Sequence, residues 1–434
     1  MNFQRLDKNV QGYEGVVLPP MVRIRQKFDS RSVGDVSMEM QKQLSESLDR
    51  SFIEGLRGKR LAISAGSRGI PRYRDLLRSL CLQLKEWGAL PFVFPAMGSH
   101  AGGTAESQKQ FLADYGIVEE YIGAPVISSM DVMEIARLED GMPVYCDRNA
   151  FQADGIVLFH KVKPHTHFKA DHESGLLKML CIGMGKHKGA SAFHRKGFDN
   201  FGKYLVDVSR AFLQNANVVF AVGLIQNAYD QIGKIEVIPP EKILEKDAEL
   251  LAFAKEQTAR FKFDEIDVLI IDEIGKDISG TGFDPNITGR TEVESQKKAF
   301  RDMAPHIKKI VLLDISEHSR GNASGMGEAD LVSFRFVNKI DFATTYTNII
   351  TNNYLKAAAL PIYCNSDLDA VKLAILTGIG TDLENPRIVR VKNTLMLEEF
   401  EVSAAFLEEF RDRDDMEVLG EPYFWQFNAQ GDLW

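Results

Sequence analysis

KRLAISAGSRGIPRYRDLLRSLCLQLKEWGALPFVFPAMG, residues 59–98, decides the fold class. KRLAISAG (59–66) reads as a strand closed by a glycine-bearing turn. Behind it Leu76, Leu77, Leu80 and Leu84 recur at helical spacing after Pro71, a residue suited to a first helical turn. LPFVFPAMG (90–98) is the next strand. Strand, helix and strand in this order form a βαβ unit, so the sheet is mostly parallel.

The alternation continues outward. GTAESQKQFLADYG opens a further helix, with Thr104 as N-cap and Gly116 as stop. Strands are expected at 154–160, 216–225, 264–275, 307–316 and 385–393, and a long amphipathic helix at 240–261. The break after that helix divides the chain into an N-terminal α/β domain, 1–262, and a C-terminal α/β domain, 263–434. Each is a mostly parallel sheet flanked by helices, and the aromatic tail GEPYFWQFNAQGDLW packs back on the first domain.

A chain of 434 residues suits two domains. With 44% apolar and 26% charged residues and a net charge of −9 spread without blocks, nucleic acid is not an expected partner. Cys81, Cys146, Cys181 and Cys364 are far apart and form no CxxC pair, which argues against disulfides and structural zinc. The polar N-terminus and the lack of long apolar runs point to a cytoplasmic protein that does not enter a membrane.

Open parallel sheets bind ligands beyond the carboxyl ends of their strands. Five polar, glycine-bearing loops fall there: SAGSRGIPR, MGSHAGGT, KVKPHTHF, GKDISGTGFDPN and SEHSRGNASGMG. They place Arg68, His100, His165 or His167, Lys276 and Arg320 around one crevice, which the domain division makes an interdomain cleft.

The densest chemistry lies in KPHTHFKADHESGLLKMLCIGMGKHKGASAFH (163–194), which holds five of nine histidines. His165 and His167 form an H-x-H pair able to serve a metal or two proton transfers. ESGLLKMLCIGMG is a helix turning Leu176, Leu177, Leu180 and Cys181 to the core. Lys178 on it either snorkels or is held for a covalent role. GKHKGASAFH adds Lys186, His187, Lys188 and His194 beside glycines that let backbone approach a phosphate, although the P-loop spacing is absent. HExxH is missing as well, so the residue types suit a metal with few protein ligands, carried by an organic cofactor. Two other readings stay open: a zinc hydrolase built on His165 and His167, and a non-catalytic binder of a nucleotide or sugar acid.

From about Leu61 to at least Asp330 the chain resembles the nickel-dependent lactate racemase family, as a divergent member. The motifs are GSRGIP, GSHAGGT and HTHFKADHESGLLKMLCIGMGKHKGASAFH, in that order. The resemblance implies a racemase or epimerase of 2-hydroxy acids carrying a nickel-pincer nucleotide, supplied by cofactor-maturation enzymes. It implies attachment at Lys178, nickel ligation by His194, acid/base roles for His100 and His167, and a carboxylate clamp at Arg68. Ser67, Lys186 and His165 would join in holding the cofactor, with His165 an alternative to His167. Ala65 stands where the family has aspartate, and no Tyr-Gln-x-x-Lys cluster is present. GKDISGTGFDPNITGR (275–290) takes that region, offering Lys276, Asp284 and Asn286 for the cofactor. A larger or more polar hydroxy acid than lactate is therefore the expected substrate.

Overall fold

The computed structural model describes residues 3–7, 11–67, 69–352 and 354–433. The chain forms two compact units, Asp29–Thr258 and the discontinuous pair Met1–Phe28 with Ala259–Trp434. The discontinuous unit opens with β1 (Met21–Gln26). The continuous unit holds β2 (Arg60–Ala65), β3 (Leu90–Pro95), β4 (Val132–Arg137), β5 (Pro143–Asp147), β6 (Gly155–Lys161), β7 (Val218–Gln226) and β8 (Ile232–Ile238). The chain then returns with β9 (Glu265–Ile274), β10 (His306–Ile315), β11 (Leu331–Val332), β12 (Ile362–Tyr363), β13 (Ile388–Val391), β14 (Glu399–Ser403) and β15 (Met416–Val418).

The expected α/β class is the observed one. In the continuous unit the sheet runs β3-β2-β6-β7-β8, parallel except for the hairpin partner β8. Helices cover such a sheet on both faces, so β2 buries every residue but Arg60. The helix Tyr73–Glu86 buries Leu76, Leu77, Leu80, Cys81 and Leu84, each leucine contributing about 1.5–3 kcal/mol. Thr104 caps the helix Ala105–Asp114 through its hydroxyl, which accepts from the Ser107 N–H at 3.1 Å. The chain runs from β2 outward to β3 and then returns across β2 to β6. That reversal puts a topological switch point between β2 and β6, where the loops beyond the carboxyl ends diverge and leave a crevice.

In the discontinuous unit the order is β12-β11-β10-β9-β13-β14-β1-β15. The first five strands are parallel and the last three join antiparallel. Two boundaries differ from the sequence reading. β1, expected in the first domain, belongs to the second sheet, where it pairs with both β14 and β15. Its alternation buries Met21, Val22 and Ile24 completely, and strands of opposite direction flanking it satisfy its backbone. The tail, expected on the first domain, packs on its own unit: Met21 and Tyr423 exchange backbone hydrogen bonds, and Trp425 Nε1 donates to Glu401 at 2.7 Å. Among the described residues no helix is long and apolar enough to cross a membrane.

Ile24→Ala should lower the unfolding free energy of the discontinuous unit by about 2–5 kcal/mol, the cost of a cavity in a core. Chemical denaturation followed by tryptophan fluorescence reads it, and a loss below about 1 kcal/mol would mean that β1 is not part of that core.

Candidate functional site

A cavity of about 50 Å³ sits at the switch point of the continuous unit. Ser67 enters it from the loop after β2, Met97 and His100 from the loop after β3, and His160 from the end of β6. The remaining wall is Ala96, Ser174, Lys178, Met179, Ile182 and Gly183. Two glycines permit this close approach. A Cβ on Gly66 would stand 2.9 Å from the His160 ring, and one on Gly183 would stand 2.6 Å from the Ala96 carbonyl oxygen.

The segment carrying Lys178 begins as expected and then departs from a regular helix. Leu176–Lys178 is α-helical, Met179–Gly183 widens to a π-turn, and a second α-helix spans Lys186–His194. Leu176, Leu177 and Leu180 are fully buried and Cys181 nearly so, as the apolar pattern requires. Single π-turns are rare and concentrate at functional sites.

Two buried carboxylates hold this segment, and the sequence reading named neither. Glu173 accepts from the His165 N–H at 2.6 Å and pairs with Lys169 at 3.1 Å and Lys255 at 2.7 Å. Asp247 accepts from the Leu176 N–H at 2.6 Å and from His172 Nδ1 at 2.9 Å. His172 is thereby drawn into the structure. Asp247 was legible: it shares the stripe of Ile243, Leu250, Leu251 and Ala254 on the helix Ile243–Gln257, and an acid on a buried stripe needs a partner.

The histidines gather around Lys178. The His165 Nε2 lies 2.9 Å from Lys178 Nζ. Its Nδ1 takes the His167 backbone N–H at 3.0 Å and so carries no proton. The neutral ring therefore holds its proton on Nε2, facing the lysine, and the contact is a hydrogen bond only when Lys178 is the free amine. Burial first, then the surrounding lysines 178, 169 and 163 together with His167, push the His165 pKa far below its ordinary 6.5. His167 stacks on Phe198 with centroids 4.8 Å apart, and Phe198 and Phe201 also meet the ring of the exposed His194. His194 Nδ1 lies 2.7 Å from the Ala190 carbonyl, which can only accept, so Nε2 keeps its lone pair. Burial lowers the His194 pKa against the opposing effect of that bond, and nearby Lys178 and His167 add to the lowering. On the opposite wall His100 Nδ1 bonds the Ser67 hydroxyl at 2.6 Å.

Of the residues expected at the site, Ser67, His100 and Lys178 line the cavity, and His165, His167 and His194 form the adjoining cluster. Arg68 lies outside the described residues. Lys186 is a correction: it is fully buried, pairs with Asp147 at 3.1 Å and donates to the Pro95 carbonyl, so it braces the sheet rather than meeting a cofactor. Lys276, Asp284 and Asn286 lie in the other unit, each with protein partners there. Lys276 Nζ donates to the Gly280 carbonyl, and Asp284 accepts from both the backbone and side-chain nitrogens of Asn286 at 2.8 Å. The zinc-hydrolase reading fails on its donors: both His165 nitrogens are engaged, and among the described residues no three metal-ligating side chains converge.

The displaced His165 pKa has a thermodynamic sign. Between the two pKa values the unfolded chain binds the proton that the folded chain refuses, so stability falls as pH drops below 6.5. The loss approaches about 1.4 kcal/mol per pH unit at most. Denaturant titrations from pH 7 to 5 should give a shallower decline for His165→Gln than for the parent chain; equal slopes would show that this ring is not kept neutral.

No family model and no curated protein matches the chain. Among solved structures, the lactate racemase apoprotein from Thermoanaerobacterium thermosaccharolyticum is similar with a TM-score of 0.51 at 15% identity, over 86% of this chain and 94% of that one. A protein from Thermotoga maritima is similar with a TM-score of 0.46 at 14% identity, over 66% and 72%. At such identity the first likeness shows the fold, and the chain has a lactate-racemase-like α/β fold.

Proposed function

We propose that the chain is a racemase or epimerase of a 2-hydroxy acid that works with a nickel-pincer nucleotide joined to Lys178. The observation that carries this reading is the donor set: the Lys178 amine at a cavity wall, 2.9 Å from the His165 ring, with a histidine nearby whose Nδ1 faces a carbonyl and so leaves Nε2 its lone pair. An amine must be unprotonated to form an amide-type bond. A histidine oriented through Nδ1 and biased to its neutral form is the usual metal ligand. The cavity gives room for the reacting end of a small acid beside the amine; the fit to the cofactor rests on these donors. Lys178 and His194 would hold the group, which when bound supplies a hydride acceptor and donor for C2 of the substrate.

The chain's own residues then handle protons and charge. His100, its Nδ1 fixed by the Ser67 hydroxyl, takes or returns the hydroxyl proton through Nε2 from one wall of the cavity. His167, held by its stacking on Phe198, does the same from the histidine cluster. Two bases are needed because inversion requires protonation from either face. Arg68 is the group expected to hold the carboxylate, since a guanidinium binds it through two hydrogen bonds. Cofactor-maturation enzymes are the partners this chemistry demands.

Chain produced together with those enzymes should carry a mass increment that peptide mapping places on Lys178, with nickel by elemental analysis. Lys178→Ala should lose both, and His194→Ala should keep the increment while losing most nickel. His100→Ala should keep increment and nickel but lose racemisation by about 100-fold or more. A chain that stays unmodified under maturing conditions would end the proposal.

A further inference from the structure

The discontinuous unit contains a larger cavity, of about 350 Å³, with no part in the reading above. It lies at the amino end of β10, the opposite end of that strand from the Ser316 loop. Its walls come from the turn Thr288–Thr291, the helix Lys297–Arg301, the start of β10 and the short turns ending near Glu328 and Lys356. Although the chain is acidic overall, this wall presents Arg290, Lys297, Arg301, Lys308 and Lys356 against the single carboxylate Glu328.

Three of these cations are held by carboxylates outside the wall. Arg290 bonds Asp330 at 3.1 Å and two carbonyls of β10, Lys308 pairs with Asp267 at 2.6 Å, and Lys297 pairs with Glu294. Exposed Arg301 has no hydrogen-bond or ion-pair partner among the described residues. Glu328 is only 9% exposed, and its Oε1 is buried without a hydrogen bond; Lys356 Nζ stands 3.6 Å away. Burial raises the Glu328 pKa and Lys356 opposes the rise. A buried acceptor with no donor is costly, and a ligand that brings one removes that cost.

We infer that this cavity binds a phosphate-bearing polyol, the chemistry shared by sugar phosphates and mononucleotides. The dianionic group lies against Arg301, Lys297 and Lys356, where several N–H donors meet its oxygens. A ligand hydroxyl donates to the orphaned Glu328 oxygen. The volume falls in the range of small-molecule sites, about 300–1,000 Å³, and exceeds what a bare anion fills.

Calorimetry on the full chain at low ionic strength tests this with four probes: ribose 5-phosphate, adenosine monophosphate, inorganic phosphate and ribose. Binding of either phosphorylated probe at one per chain supports the inference, and the tighter one identifies the source. Lys297→Ala combined with Arg301→Ala should weaken that probe about tenfold or more, while Lys178→Ala leaves it unchanged. Glu328→Gln should weaken the phosphorylated polyol about fivefold relative to inorganic phosphate. Because Arg301 is exposed, Arg301→Glu alone preserves the fold and should also weaken binding. No heat from either phosphorylated probe, or affinity unchanged in the double variant, would overturn the inference, and an unchanged preference in Glu328→Gln would remove the hydroxyl contact from it.

Discussion

Two carboxylates sealed from water set the position of everything at the candidate site. Burying a carboxylate costs several kcal/mol unless charge and hydrogen bonds compensate, so each such group admits few arrangements of its surroundings. Glu173 satisfies itself with a backbone N–H of the histidine loop and two lysines, and Asp247 with the first N–H of the Lys178 helix and a histidine. Between the two lies Gly175, where a Cβ would come within 2.2 Å of Asp247 Oδ1. Chain from 165 to 176 therefore has both ends tied, and the amine of Lys178 projects from a fixed base.

The same logic extends to where protons sit. Backbone groups have fixed roles: an amide donates and a carbonyl accepts. A histidine nitrogen facing an amide must be bare, and one facing a carbonyl must be protonated. His165 and His194 are set in opposite senses by this rule, one with its proton directed at Lys178 and the other with its lone pair left outward. Burial and crowded positive charge lower the pKa of both rings, that of His165 far below its ordinary value, and in the neutral ring local geometry dictates the tautomer. Aromatic rings of Phe198 and Phe201 complete the setting by fixing the planes of His167 and His194.

How much of this could be read in advance follows from the range of the interactions. β2, the Tyr73–Glu86 helix and β3 were legible because their patterns are local and periodic. His100 was legible because loops after parallel strands converge by topology, and Lys178 because a lysine among the apolar residues of a helix stands out. The β4–β5 hairpin escaped because its first strand is half-buried on both faces and shows no alternation. Lys186 misled because GKHKG looks like a ligand loop, whereas its real partner, Asp147, is a distant residue that no local pattern indicates. Asp284 and Asn286 misled for another reason: short polar side chains at the start of a helix are as apt to cap backbone as to bind anything, and here Asp284 caps while Asn286 donates to it. β1 was not among the expected strands, and its choice of sheet depends on residues near position 400.

That last pairing has a consequence for how the molecule is made. β1 is synthesised well before β14 and β15 and finds its neighbours only after they have been made. At about 5–20 residues per second that is a wait of roughly 20–80 seconds. In that interval the residues from Asp29 to Thr258 can complete their own sheet, while a strand with three apolar residues destined for burial stays unpaired. Arg23 and Arg25, alternating with those apolar residues, give the waiting segment positive charges that discourage premature association with copies of itself.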